Sequence, residues 1–210
     1  MTRGSSLYGD SFTYHMEISL VLASVVAWSG TYFLIKKLTK QEPEWSVRLV
    51  TAVHASLITL LAAMDWCWIR KWDIEKLGEP NTTYEEIVLC LTLGYFLFDI
   101  IWILRYQTEG LTMYFHHSAS IICLAVILAK GTSAFEVLVG ISGLELTNPC
   151  LQARIFYGTY LTCNILIHPK CHLVLKSGTV CLYVVSLIFA CQMFTYVNKR
   201  YRKSKTVKED

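Results

Sequence analysis

Apolar and polar positions along this chain fall into blocks with little alternation inside them. Ile18–Ile35, Val47–Met64, Ile87–Leu104, Met113–Ala129 and Thr179–Val197 are helix-length and almost free of charge. About 20 such residues cross a bilayer as a helix, so each block predicts one membrane span. Two further runs are weaker: Phe135–Gln152 is interrupted by Glu145 and Pro149, and Ile155–Ile167 is only 13 residues. The pattern predicts an all-α, polytopic membrane helix bundle with five spans and up to seven. It divides the chain into an N-terminal tail (1–17), a transmembrane bundle (18–197) and a basic tail (198–210).

Composition supports this reading. Apolar residues are 54% of the chain and charged residues 17%, against about 25% charge in a soluble domain. The charges that remain orient the bundle. Lys36, Lys37 and Lys40 follow the first block, and Lys199, Arg200, Arg202, Lys203, Lys205 and Lys208 follow the last. Both clusters predict a cytoplasmic location, and a non-cytoplasmic start with a cytoplasmic end requires an odd number of crossings. The intervening loop, Asp65–Glu86, is mainly acidic and holds the glycosylation sequon Asn81-Thr82-Thr83, usable only on the non-cytoplasmic side. No small-residue cleavage site follows the first block, so it is expected to be retained rather than removed as a signal peptide.

Ionisable groups are costly inside a membrane and point to function by default. His54, Asp99, the adjacent pair His116 and His117, and Glu145 with Asn148 all fall inside apolar blocks. Counted from the ends of their segments, they lie about 8–13 Å deep at a rise of 1.5 Å per residue, and all four segment ends share one side of the membrane. The convergence predicts one polar cavity; unrelated packing contacts are the alternative. His116 and His117 point about 100° apart on a helix, so one faces the interior while the other orients it or meets the next helix. Pro149 ends its helix and frees carbonyls, a feature tolerated where backbone lines a cavity. An aspartate beside a histidine is the pairing of general base catalysis, the carboxylate fixing the imidazole tautomer.

Other chemistries find less support. The eight cysteines are scattered without CxxC spacing and read as reduced, buried apolar residues. His168, Cys171 and His172 stand close together, but Pro169 disrupts the helix between them and no closed ligand set results, so no metal is expected. Six histidines, one of them in the N-terminal tail and two in a turn, are too few for a di-iron desaturase cluster. No internal repeat suggests a transporter. The net charge of +3 comes mainly from the tail, which suits anionic lipid and gives no reason to expect nucleic acid. No cofactor is expected, and the oligomeric state is left open.

The run Trp45 to His54, then Leu93-Gly-Tyr-Phe-Leu-Phe-Asp99, then Tyr114-Phe-His-His117, then Glu145-Leu-Thr-Asn-Pro149 resembles the TLC domain family. That family includes ceramide synthases and the translocating-chain-associating membrane protein. The resemblance implies a helical bundle in an internal membrane, the endoplasmic reticulum or Golgi, and a role in lipid metabolism or lipid balance. It implies membrane lipid as the ligand and, should the chemistry be acyl transfer, acyl-CoA as a partner. His116 and His117 match the paired histidines that ceramide synthases need for N-acylation, and Asp99 matches the family's aspartate one span earlier. The fuller ceramide-synthase motif has no counterpart here beyond Glu145 and Asn148. The stretch from Pro149 to the last span is also short for the family, as a shortened form would be. Two readings follow: a lipid-binding membrane protein with His54, Glu145 and Asn148 in its cavity, or an acyltransferase with His116 or His117 as base and Asp99 as orienter.

Overall fold

The computed structural model describes residues 7–107, 109–147 and 151–206. Among the described residues the chain forms seven α-helices: α1 (Leu7–Thr39), α2 (Pro43–Met64), α3 (Thr83–Tyr106), α4 (Leu111–Lys130), α5 (Ala134–Thr147), α6 (Leu151–Ile167) and α7 (Leu173–Thr206). Five are long and apolar enough to cross a membrane, and α5 and α6 are shorter apolar helices. The all-α polytopic bundle expected from the blocks is what the chain forms.

Helix boundaries differ from the apolar blocks for local reasons. Helix α3 starts four residues before Ile87 because Thr82 and Glu85 form a reciprocal capping box, which satisfies two end donors at once. Helix α2 opens on Pro43, whose fixed φ suits the first turn. Helix α4 ends at Gly131, held at φ 65°, where a side chain would be strained. Helices α1 and α7 run past their apolar blocks in both directions, α7 through a basic stretch of good helix formers.

Helices α2 to α7 close a ring: α2 packs on α3, α3 on α4, α4 on α7, α7 on α6, α6 on α5 and α5 back on α2. Helix α1 lies outside the ring against α2 and α3. Its approach to α3 is close: Ser24 and Trp28 both donate to the Leu91 carbonyl, at 2.9 and 3.3 Å. A Cβ at Gly94 would collide with Ser24. Successive helices alternate in direction, so one face carries the C-terminal ends of α1, α3 and α7; we call it the tail face. Most of the buried apolar core lies towards the other face, around Leu89, Leu128, Phe135, Leu138 and Leu161.

That opposite face is closed by a folded loop between α2 and α3. A π-helical turn (Asp65–Ile69) and a short 3-10 turn (Ile74–Lys76) lead into it. Arg70 is its hub: Nη1 donates to Glu85 at 2.6 Å and to the Pro80 carbonyl at 3.3 Å, and Nη2 donates to Glu79 at 2.7 Å. The guanidinium also lies 5.2 Å from the Phe135 ring centre. Burial works against its charge, yet the hydrogen bonds to Glu79 and Glu85 hold its pKa above the ordinary arginine value. Asn81 braces the same loop. Its Oδ1 accepts from Ala134 N at 2.9 Å and its Nδ2 donates to the Ile127 carbonyl at 3.3 Å. A glycan on Nδ2 would have to be built around that bond.

Gly78 sits in this loop at φ 78°, and a Cβ there would lie 2.6 Å from the Lys170 carbonyl oxygen. Left-handed backbone and a backbone clash act together at this position. Gly78→Ala is therefore expected to cost about 2 kcal/mol or more, read as a lowered midpoint in unfolding of the detergent-solubilised protein.

Candidate functional site

The ring encloses a cavity of about 670 Å³, lined by residues of α2 to α7 and by Glu109. The volume falls within the ~300–1,000 Å³ of small-molecule sites. Its walls are mostly apolar, with polar groups gathered in layers.

Towards the tail face lies an aspartate–histidine pair, the sequence having left His116 or His117 open as the partner of Asp99. Asp99, about two turns before the end of α3, meets His117, in the second turn of α4, with Oδ2 to Nε2 at 2.5 Å. Both residues are buried, 6% and 3% exposed. The separation makes the two side chains hydrogen-bonded partners. With Nε2 engaged, Nδ1 of His117 is buried with no hydrogen-bond partner among the described residues. Asp99 does not turn to Arg105, whose guanidinium instead lies 5.6 Å from the Tyr106 ring centre.

His116 also lines the cavity. Its ring lies 5.5 Å from that of His117 and 6.1 Å from Phe189 of α7. His117 reaches Asp99 of α3, while the ring of His116 lies between Phe96 of α3, at 5.9 Å, and Phe189 of α7. His54 enters from α2, buried and stacked on Tyr95 with centroids 3.7 Å apart. Its Nε2 has no hydrogen-bond partner among the described residues. Phe96 stands between the groups, 6.3 Å from His54 and 5.3 Å from His117. The structure therefore brings His54, Asp99, His116 and His117 to one cavity. Glu145 closes the backbone of α5, but its side chain lies outside the described residues, as does all of Asn148.

Three features escape a reading of apolar blocks. Arg48 and Glu109, 3.8 Å apart, line the cavity at the tail face. Tyr95 donates to Thr51 at 3.0 Å beside His54. Glu136, inside the run Phe135–Gln152, lines the far end of the cavity and is 1% exposed. A carboxylate at the second position of an apolar run is the signal the sequence carries for it.

The His168–His172 turn is built for packing. Cys171 points its thiol at Glu136 Oε1, 3.7 Å away, with His168 Nδ1 at 4.0 Å. Burial, and then the neighbouring Glu136, push the Cys171 thiol up to about 12, so it stays protonated and is a poor metal ligand. Among the described residues no group of three or more His, Cys, Asp or Glu is placed to hold a metal ion. The seven described cysteines are all unpaired, and Cys150 lies outside the described residues.

Compared with known families, the model of the TLC domain matches residues 44–201. The match starts at α2, so it spans the ring and leaves out α1. No solved structure matches the chain.

Proposed function

Because the chain belongs to the TLC domain family, we propose that it binds a membrane lipid inside its helical ring and acts in lipid metabolism or membrane lipid homeostasis. The single observation carrying this reading is the cavity itself: apolar along its length, with Asp99, His117 and His54 at one end. A lipid would set its polar head against that layer and its chain among the apolar walls. The tail face, with Lys36 and Lys37 in the last turn of α1, is the cytoplasmic one in this reading. The compartment is an endomembrane, the endoplasmic reticulum or Golgi. Within the family, we read the order and phrasing of the motifs as similar to those of TLC domain-containing protein 5, also called transmembrane protein 136.

A second reading is favoured by the 2.5 Å contact between Asp99 and His117. With Asp99 holding Nε2–H, Nδ1 is the nitrogen left to accept a proton. In an acyl transfer a lipid amine or hydroxyl would lose its proton to His117 as it attacks an acyl-CoA thioester. The new amide or ester bond forms, the carbon–sulfur bond breaks, and the proton passes to the departing CoA thiolate. His116 and Asp99 would be positioning residues, for the substrate and the imidazole respectively.

Untargeted lipidomics on null cells expressing matched levels of three forms separates these readings. The forms are wild type, His116→Ala/His117→Ala, and a cavity-filling Gly140→Phe. Binding alone predicts that the histidine variant restores the wild-type profile at least in part and that Gly140→Phe does not. Acyl transfer predicts that both variants lose one lipid class completely. Full restoration by Gly140→Phe would sink both.

A further inference from the structure

Opposite the histidine layer, the cavity ends on a carboxyl group. Glu136 is held from one side only: its Oε1 accepts the Gly78 N–H and the Cys171 S–H. Its Oε2 is buried with no hydrogen-bond partner among the described residues. Leu124, Ile165 and Leu175 line the same cavity, and Arg70 is near enough to act on the carboxyl electrostatically without hydrogen-bonding Oε2. An orphaned buried oxygen is costly, so a ligand group that reaches it forms a bond that the described residues leave unmade. We propose that the cavity accepts a lipid chain whose far end carries a hydroxyl, with Glu136 Oε2 as its partner; this rests on the lipid-binding reading above and deepens it.

Geometry sets the length of that chain. Glu136 lies near the start of α5, on the level of the loop that precedes Thr83. From Thr83 to Asp99 the rise of α3 is roughly 24 Å. The polar layers at the two ends of the cavity are therefore on the order of 20 Å apart, about the length of an extended chain of sixteen carbons. A hydroxyl suits the site better than an ammonium, which would have to shed its water among leucine and isoleucine side chains. It suits either protonation state of Glu136, since it can donate or accept. A methyl end would fit the same space and leave Oε2 unpaired, so the discrimination comes from the penalty on the wrong ligand as much as from the bond to the right one.

The test is a minimal pair of probes, 1-hexadecanol and 1,16-hexadecanediol, bound at equilibrium to the full chain in lipid nanodiscs. The two differ only in the far hydroxyl. The wild type is expected to prefer the diol by about tenfold. Glu136→Leu is expected to erase that preference while keeping affinity for hexadecanol. Glu136→Gln, which retains a hydrogen-bonding end and its bracing role, is expected to keep a reduced preference. Equal binding of the two probes by the wild type would overturn the assignment of Glu136 and leave the lipid cavity standing. A diol preference that persists in Glu136→Leu would overturn it too. Binding of neither probe by the wild type would remove both the assignment and the cavity reading beneath it.

Discussion

Arg70→Ala is expected to be the most damaging single substitution in the chain, costing about 3–5 kcal/mol. Three acceptors converge on this one guanidinium, and one of them, Glu85, is fully buried. Close by is Asp65, also fully buried, with neither carboxylate oxygen hydrogen-bonded among the described residues. Removing the cation leaves a buried carboxylate with no compensating charge, which costs more than the lost bonds alone. Arg70→Lys is expected to fall between, because a single ammonium cannot reproduce a fork that serves Glu79, Glu85 and the Pro80 carbonyl together. Adding Glu85→Gln to Arg70→Ala should recover about half the loss, by removing the stranded charge. Unfolding in mixed micelles, followed by tryptophan fluorescence, measures all three. If Arg70→Ala unfolds like wild type, the loop is not held by this ion-pair hub.

Asp99→Ala and His117→Ala come next, at about 3 kcal/mol each. Side-chain pairs within membranes couple by at most about 1.7 kcal/mol, since the unfolded chain also finds partners there. Stranding the surviving buried group adds another 1–3 kcal/mol or so. The double variant should therefore cost less than the two singles added together, with a coupling of about 1.5 kcal/mol. A coupling below about 0.5 kcal/mol would mean that the 2.5 Å contact carries no energy. The same cycle applied to His116 is expected to show little coupling with Asp99, since the hydrogen bond from Asp99 goes to His117 and the ring of His116 lies among Phe96, His117 and Phe189.

How much of this could be read from the residues depends on whether one segment or several set the feature. The spans were legible because each is a single uninterrupted apolar block. The meeting of His54, Asp99 and His117 was legible because depth within a span is counted from its own end. Depth does not give azimuth, however, and the choice of His117 over His116 as the partner of Asp99 needed the packing of α3 against α4. The Arg70 hub could not be read, since its partners come from a loop, a helix cap and an aromatic ring on another helix. Glu85 shows why: the T-x-x-E spacing announces a capping box, yet nothing local announces that the same carboxylate also receives an arginine 15 residues earlier. Glu136 is not legible as a site residue because its burial comes from the Gly78 loop and Cys171, both distant in sequence.

The two shortest helices of the ring bear on the bilayer as well as on the cavity. Helix α5 has 14 residues and α6 has 17, a rise of roughly 21 and 25 Å against a hydrocarbon core of about 30 Å. Their neighbours α4 and α7 are long enough to span it, so the protein presents a tall flank and a low one. Lipids beside the low flank must compress or tilt to keep their tails covered, at fractions of a kcal/mol per Å of mismatch. An asymmetric dent in the membrane is the expected consequence, shallowest, and with the smallest energetic penalty, where the surrounding bilayer is itself thin.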